Sequence, residues 1–322
     1  MRILLSALLI AAVSFAQADA ARGEAYPSRP VTIVMPYPSG TNADVIARLL
    51  ADKLSRAFNQ SVVVENKSGA ATVPGTLAVV QAPLDGHTLL QAGTATNINP
   101  LLGVKMPYDA DRDLVPVVQL VTFPGVLVTH ASVPAKTVSE LVALAKAKPN
   151  GLLYGSPGIG SFPHLAMEQF NQLSGTRLAH VPFRGLGPTM IGLLRNDVQV
   201  MVSDIPGALE HIQSGALRAL AQTGQERMPQ LPDLPIMAEA GVSDYEAAGF
   251  LGVWVRSGTS SEAIAALNRE INRALASPEI SGYVAKNGLR MGGGTAAEFA
   301  AFLSRDRKIW SRVIADGAIK VE

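Results

Sequence analysis

Between residues 31 and 58 a β-branched apolar run, VTIVM, gives way through a Pro/Gly/Ser turn to apolar residues at helical spacing, Ile46, Leu49, Leu50, Leu54, Ala57 and Phe58. The same strand, turn and helix order recurs. SVVVEN (61 to 66) and HTLLQAG (87 to 93) read as strands, with a helical stretch from Thr76 to Gln81 between them and a turn at Pro83 to Gly86. This alternation is the strongest constraint on the fold. Each unit must bury its helical stripe against the strands, which requires a parallel or mixed sheet covered on both faces.

A second series starts near Phe123. VLVTH (126 to 130), LLYGS (152 to 156), LAHVPF, VQVMVSD (198 to 204) and LRALAQTG read as strands. Helices are expected over 138 to 148, 164 to 175, near Pro188 to Leu194, and from Ile205 to Gln213, with Gly175 ending the second of them. Two α/β sheets are therefore expected. FLGVWVR (250 to 256) adds a strand, and two amphipathic helices over 260 to 277 and 295 to 314 follow, with N-cap residues at Ser260 and Thr295 and a capping box completed by Glu298. No low-complexity tether separates the two series, so the lobes are expected to be joined by crossing strands.

The first 20 residues carry Arg2, an apolar run from Ile3 to Phe15 and small residues at Ala16, Ala18 and Ala20, the pattern of a secretory signal peptide cleaved after Ala18 or Ala20. The apolar run is too short for a membrane anchor. The remaining length suits two lobes, expected over 21–122 with 225–322 and over 123–224. Cysteine is absent, which excludes thiol catalysis, thiolate metal sites and disulfide stapling. A net charge of +1, from 27 basic and 26 acidic residues scattered along the chain, gives no electrostatic case for nucleic acid or a membrane surface.

Chemistry is concentrated in loops that lead from a strand into a helix. The first, PYPSGTNADVIARLL (36 to 50), presents unpaired backbone N–H groups at a helix start, where the helix dipole favours an anion without any Arg or Lys. Taken alone it reads first as an ordinary turn with Thr41 or Asn42 as N-cap and Asp44 as first-turn acid. The second, YGSPGIGSFPHLAMEQF (154 to 170), has Gly158 and Gly160 to let backbone approach a ligand and Ser161 to offer a hydroxyl or a cap. A third, VPFRGLGPTM (181 to 190), carries Arg184, either a cation near the cleft or a solvated surface residue. Ser203 and Asp204 end a strand at the edge where open α/β sheets place ligands, or cap the next helix.

Enzyme signatures are missing. Neither glycine loop fits G-x-S-x-G, the P-loop or the dinucleotide fingerprint. The five histidines (His87, His130, His164, His180, His211) have no metal-ligand spacing, so no cofactor or metal is expected. A hydrolase would have to use Ser161 with His164, three residues apart at a helix start, with no orienting acid evident.

Over nearly the whole chain after the leader, the sequence resembles the Bug-type substrate-binding proteins of tripartite tricarboxylate transporters. The resemblance is carried by YPSRPVTIVMPYPSGTNADVIARLLADKL, VVVENKSGA, APLDGHTLL, MPYDADRDLVPV, LLYGSPGIGSFPHLAMEQF, HVPFRGLGPTMIGLL and LPDLPIMAEAGV, in that order. It implies a periplasmic binding protein fold of the type II-like kind, with two α/β lobes, two crossing strands and a cleft between the lobes. It further implies a monomeric periplasmic protein that holds a small carboxylate and delivers it to membrane subunits of a transporter. The loops at 36–44 and 156–164 would grip the ligand, and the expected contacts are Tyr37, Ser39, Gly40, Thr41, Asn42, Asp44, Thr94, Ser156, Gly158, Gly160, Ser161, Phe162, Arg184, Ser203 and Asp204. A sensing subunit of an exported signalling system would use the same clamp.

Three departures from the family pattern bear on the ligand. Pro38, Ser39, Gly40 and Thr41 stand where P-P-G-G is common, Phe162 where Ser or Thr is frequent, and Ser203 and Asp204 where Asp-Asn is frequent. They favour a monocarboxylate or aromatic carboxylate over small amino or hydroxy dicarboxylates.

Overall fold

The computed structural model describes residues 26–320. The signal peptide expected over 1–20 lies outside the described residues. In chain order the elements are β1 (Val31–Met35), α1 (Asn42–Phe58), β2 (Val62–Asn66), a short 3-10 turn (Ala70–Thr72), α2 (Val73–Val80), β3 (Thr88–Gly93), α3 (Thr94–Ile98), α4 (Ala110–Asp113) and β4 (Leu114–His130). Then come α5 (Val138–Ala147), β5 (Leu153–Ser156), α6 (Phe162–Ser174), β6 (Ala179–Pro182), α7 (Leu186–Leu194), β7 (Val200–Asp204), α8 (Ile205–Gln213) and β8 (Leu217–Gln222). The last are β9 (Ala248–Arg256), α9 (Ser261–Leu275), α10 (Pro278–Lys286), β10 (Arg290–Gly293) and α11 (Ala296–Asp316).

Strand β4 organises the molecule. Its first half, Leu114 to Pro124, pairs antiparallel with β9; its second, Gly125 to His130, pairs antiparallel with β7 and β8. One strand thus serves two sheets, in the order β2-β1-β3-β9-β4-β7-β5-β6, with β8 and β10 also on β4. Strands β1, β2 and β3 are mutually parallel, as are β5, β6 and β7, and the antiparallel pairings lie where β4 and β9 join the two halves. The sequence reading found only the second half of β4, because Pro116, Pro124 and Gly125 punctuate the run as a loop would. Register shifts after Pro116 and Gln119 absorb that cost and keep the ladder continuous.

The switch is tied by Thr223. The Gly125 N–H donates to Thr223 Oγ1 (2.7 Å), the Thr223 N–H returns to Gly125 O (2.9 Å), and the Ala247 N–H donates to Thr223 O (3.3 Å). The return crossing is therefore split. Strand β8 ends at Gln222, and the chain makes an excursion over 223–247 before β9 re-enters the first sheet. That excursion packs Met237, Val242, Tyr245 and Ala247 into the same cluster as Leu141, Leu165 and Phe170, all fully or nearly fully buried.

Each half has its own core. Val31, Ile33, Ile46, Leu50, Leu54, Leu89 and Val253 fill one, and Tyr154, Leu165, Met167, Phe170 and Val202 fill the other. Helix α11 spans them: Phe299 near its start packs on Phe250 and Trp254, whereas Trp310, Val313 and Ile314 near its end join the cluster of Phe170. Its start is the expected capping box of Thr295 and Glu298. No helix among the described residues is long and apolar enough to cross a membrane.

Candidate functional site

Parallel strands deliver loops at their carboxyl ends, and four of these meet at one place. The chain leaves β1 at Met35, β3 at Gly93, β5 at Ser156 and β7 at Asp204, and from each it enters a helix. Between the two halves these loops enclose a cleft of about 430 Å³. Of the expected site residues, Tyr37, Thr41, Asn42, Thr94, Ser161, Phe162 and Asp204 line it. Ser39, Gly40, Asp44, Ser156, Gly158, Gly160, Arg184 and Ser203 are not among its lining residues.

Asp44 is the anchor of the first loop. It is 3% exposed and accepts from the Gly40 N–H (3.0 Å), from Arg48 through Nε (2.9 Å) and Nη2 (3.1 Å), and from Asn66 Nδ2 (2.9 Å). The Arg48 hydrogen bonds hold its carboxyl at about 2, well below the usual carboxylate range, against the opposing effect of burial. Thr41 is the N-cap, its hydroxyl accepting from the Asp44 N–H (3.3 Å). With Val45 bonded to Thr41 O, the backbone N–H groups of Asn42 and Ala43 are left without helical partners at the cleft wall. Tyr283 on α10 donates its hydroxyl to Asn42 Oδ1 (2.6 Å), which leaves the Asn42 amide NH₂ as a donor. Asp44→Ala strips partners from the Gly40 N–H, Arg48 and Asn66 at once, and is expected to cost about 1–3 kcal/mol of stability, read as a lower urea midpoint.

The second loop is braced from behind. Ser161 has the backbone angles of an N-cap, but its hydroxyl donates to Gly158 O (2.7 Å) and makes no cap bond to the helix. Pro163 has no N–H and Leu165 bonds to Ser161 O, so Phe162 and His164 carry the unpaired N–H groups at the start of α6. Ser156 Oγ lies 2.6 Å from His180 Nε2 and accepts from the Gly158 N–H (3.2 Å), while the Gly160 N–H donates to His164 Nδ1 (3.0 Å). Gly160 has φ +74, and a Cβ there would approach Leu102 Cδ1 to 2.5 Å. The room it leaves is thus filled by Leu102. Because Ser161 points to a carbonyl and His164 Nδ1 already accepts a backbone N–H, the pair a hydrolase would need is not assembled.

His164 and His180 stack at 4.0 Å between ring centroids, with Tyr154 stacked on His180 at 4.8 Å. Burial, with the neighbouring ring adding to it, pushes His164 down to about 3, and burial pushes His180 down to about 4. Both are neutral when folded, whereas an unfolded histidine takes up its proton near pH 6.5. Stability is therefore expected to fall as pH drops from about 6.5 towards 4, with the unfolded state gaining protons that the folded state refuses. Asp306, which burial raises to about 6, has the opposite slope below that pH and offsets part of the loss. Urea midpoints measured across this window should show the fall, and His180→Gln should flatten it.

The walls of the cleft are apolar. Phe123 and Phe162 meet edge to face at 5.9 Å, and Phe250, Leu186, Leu251 and Leu289 complete the lining with Ile205 and Pro206. Thr94 is tied to β9 by the Phe250 N–H (3.3 Å), and burial pushes the Tyr37 phenol up so that it stays neutral. Asp204 is the one charged residue in the lining, which includes no Lys, Arg or His. Arg184 is exposed on the turn before α7, and Ser203 is buried with its hydroxyl on Asp204 (3.3 Å). Among the described residues no cluster of three or more His, Asp or Glu could hold a metal ion.

The sequence reading missed the aromatic wall formed by Phe123 and Phe250 and the loop at 287–289. Pro278 opening a helix with Ile280 and Val284 four apart was the available signal for α10, which carries that loop into the cleft.

Two lobes that share β4, with strand-to-helix loops from both closing on one apolar cleft, define a solute-binding protein. Residues 46–319 match the TctC family, described as the tripartite tricarboxylate transporter family receptor. BugT of Bordetella pertussis is 34% identical over 301 residues, covering 93% of this chain and 92% of its own. Among solved structures, Rpa4515 of R. palustris with adipate has a TM-score of 0.80 at 31% identity, over 92% of this chain and 99% of its own. MatC of Rhodopseudomonas palustris with bound malate has 0.76 at 27%, over 90% and 100%. The chain belongs to the TctC family of tripartite tricarboxylate transporter receptors.

Proposed function

We propose that the protein works in the periplasm as a monomer, captures a small carboxylate in the cleft and hands it to the membrane subunits of a tripartite tricarboxylate transporter without changing it covalently. The observation that supports this reading is the pairing of unpaired backbone N–H groups from two helix starts, Asn42 and Ala43 on one lobe and Phe162 on the other, at a cleft whose lining has no basic side chain. Such groups hold an anion by hydrogen bonding and by the helix dipole. The Phe123, Phe162 and Phe250 wall favours a ligand with an aromatic or other apolar body, because a polar body would lose water there without replacement. We also place residues 125–247 in the second lobe, so that it extends past 224 to the end of the excursion that packs on its core.

Thermal-shift screening of the chain without residues 1–20 against a carboxylate panel tests the function. A ligand that binds only the folded state raises the melting temperature by mass action. Monocarboxylates with apolar bodies should raise it, and the corresponding primary amides should not. A shift from amides and carboxylates alike would overturn the anion site.

A further inference from the structure

Of the helices that begin at the cleft after a strand, α1, α6 and α8 do not present the same charge. The starts of α1 and α6 offer backbone N–H groups with no acceptor of their own. The start of α8 is different, because its N-cap is Asp204, which lines the cleft together with Ile205 and Pro206. Its carboxylate accepts from the Ser203 hydroxyl (3.3 Å to Oδ1), and Ser203 itself is fully buried in β7. Gly207 leaves room for it, since a Cβ there would lie 2.5 Å from Asp204 Oδ1. The helix start that could have served a second anion thus faces the chain's own carboxylate.

Resting on the carboxylate-capture reading, we infer that Asp204 sets specificity at the far end of the ligand: it accepts from a hydroxyl or amino group there and excludes a second carboxylate. The one carboxylate of a largely apolar lining rewards a donor and penalises a like charge, for an unmatched charge there is costly. Burial raises the Asp204 carboxyl, an effect opposed by the Ser203 hydroxyl and the Gly207 N–H, in keeping with a group withdrawn from water. Leu186, Ile205 and Leu289 are apolar lining residues, and the lining has no Lys, Arg or His to pair with a second carboxylate.

Calorimetric titration with matched ligands tests this. The probes are benzoate, para-hydroxybenzoate and terephthalate, and hexanoate, omega-hydroxyhexanoate and adipate. In the series that binds, the hydroxy acid should be at least about tenfold tighter than the diacid, and Asp204→Asn should shrink that ratio to within about threefold while carboxylate binding persists. A diacid that binds the unaltered protein as tightly as the hydroxy acid, or a ratio unmoved by Asp204→Asn, would overturn the role of Asp204 and leave carboxylate capture standing. No binding in either series, together with no shift across the carboxylate panel, would overturn capture itself and this inference with it.

Discussion

Replacing Trp310 by Ala is expected to lower the unfolding free energy by about 3–5 kcal/mol, the range for truncating a large buried aromatic. Trp310 is 1% exposed in the second-lobe core, at the end of the helix that crosses from one lobe to the other. Its indole N–H donates to Asp306 Oδ1 (2.8 Å), and Asp306 Oδ2 accepts from Asn97 Nδ2 (2.7 Å). Truncation therefore opens a cavity and also removes a donor from a buried carboxyl that burial already raises to about 6. The link matters for the cleft because Asn97 belongs to α3, whose first residues, Thr94 and Ala95, line it. Trp310→Phe keeps most of the volume but not the N–H, and should cost about 1–3 kcal/mol. Urea unfolding of both variants measures the difference; equal losses would show that the lost N–H, not packing, sets the effect.

The second large effect is on ligand choice. Phe162→Ser should weaken binding of aromatic carboxylates by at least about tenfold, equivalent to 1.4 kcal/mol, and narrow their margin over hydroxy dicarboxylates. Phe162 stands edge to face with Phe123 and lies 3.5 Å from where a Gly125 Cβ would be, so its ring covers the point at which β4 changes sheets. A serine there removes the apolar wall and adds a hydroxyl beside the unpaired N–H of the same residue. The backbone donors are unchanged, so carboxylate binding as such should survive. Titration of one aromatic monocarboxylate and one hydroxy dicarboxylate against both proteins checks the ratio, which a general loss of stability would not move.

The alternation of strands and helices was legible because each unit is local. Val31–Met35 and Ile205–Gln213 fall where the apolar spacing puts them, and Gly175 ends its helix in the left-handed region. The loops that form the cleft were also visible, as strand ends followed by helix starts. What a linear reading could not settle was direction. Asp44 and Ser156 look like ligand groups in sequence, yet partners distant in the chain, Asn66 and His180, turn them inward as braces. Phe123 and Phe250 look like core residues, and only the pairing of β4 with β9 across the lobe boundary brings them to the cleft. The first half of β4 was hidden for the same reason, since its prolines are tolerated through register shifts that depend on the partner strand.

An anion in this cleft is expected to be held by backbone N–H groups of two helix starts and by no basic side chain. A crystal structure of the protein with a bound monocarboxylate tests it directly. The carboxylate oxygens should lie within hydrogen-bonding distance, about 2.7–3.2 Å, of backbone nitrogens at Asn42 or Ala43 and at Phe162 or His164. A carboxylate paired instead with Arg184 or Arg48, or seated outside the cleft, would contradict the account.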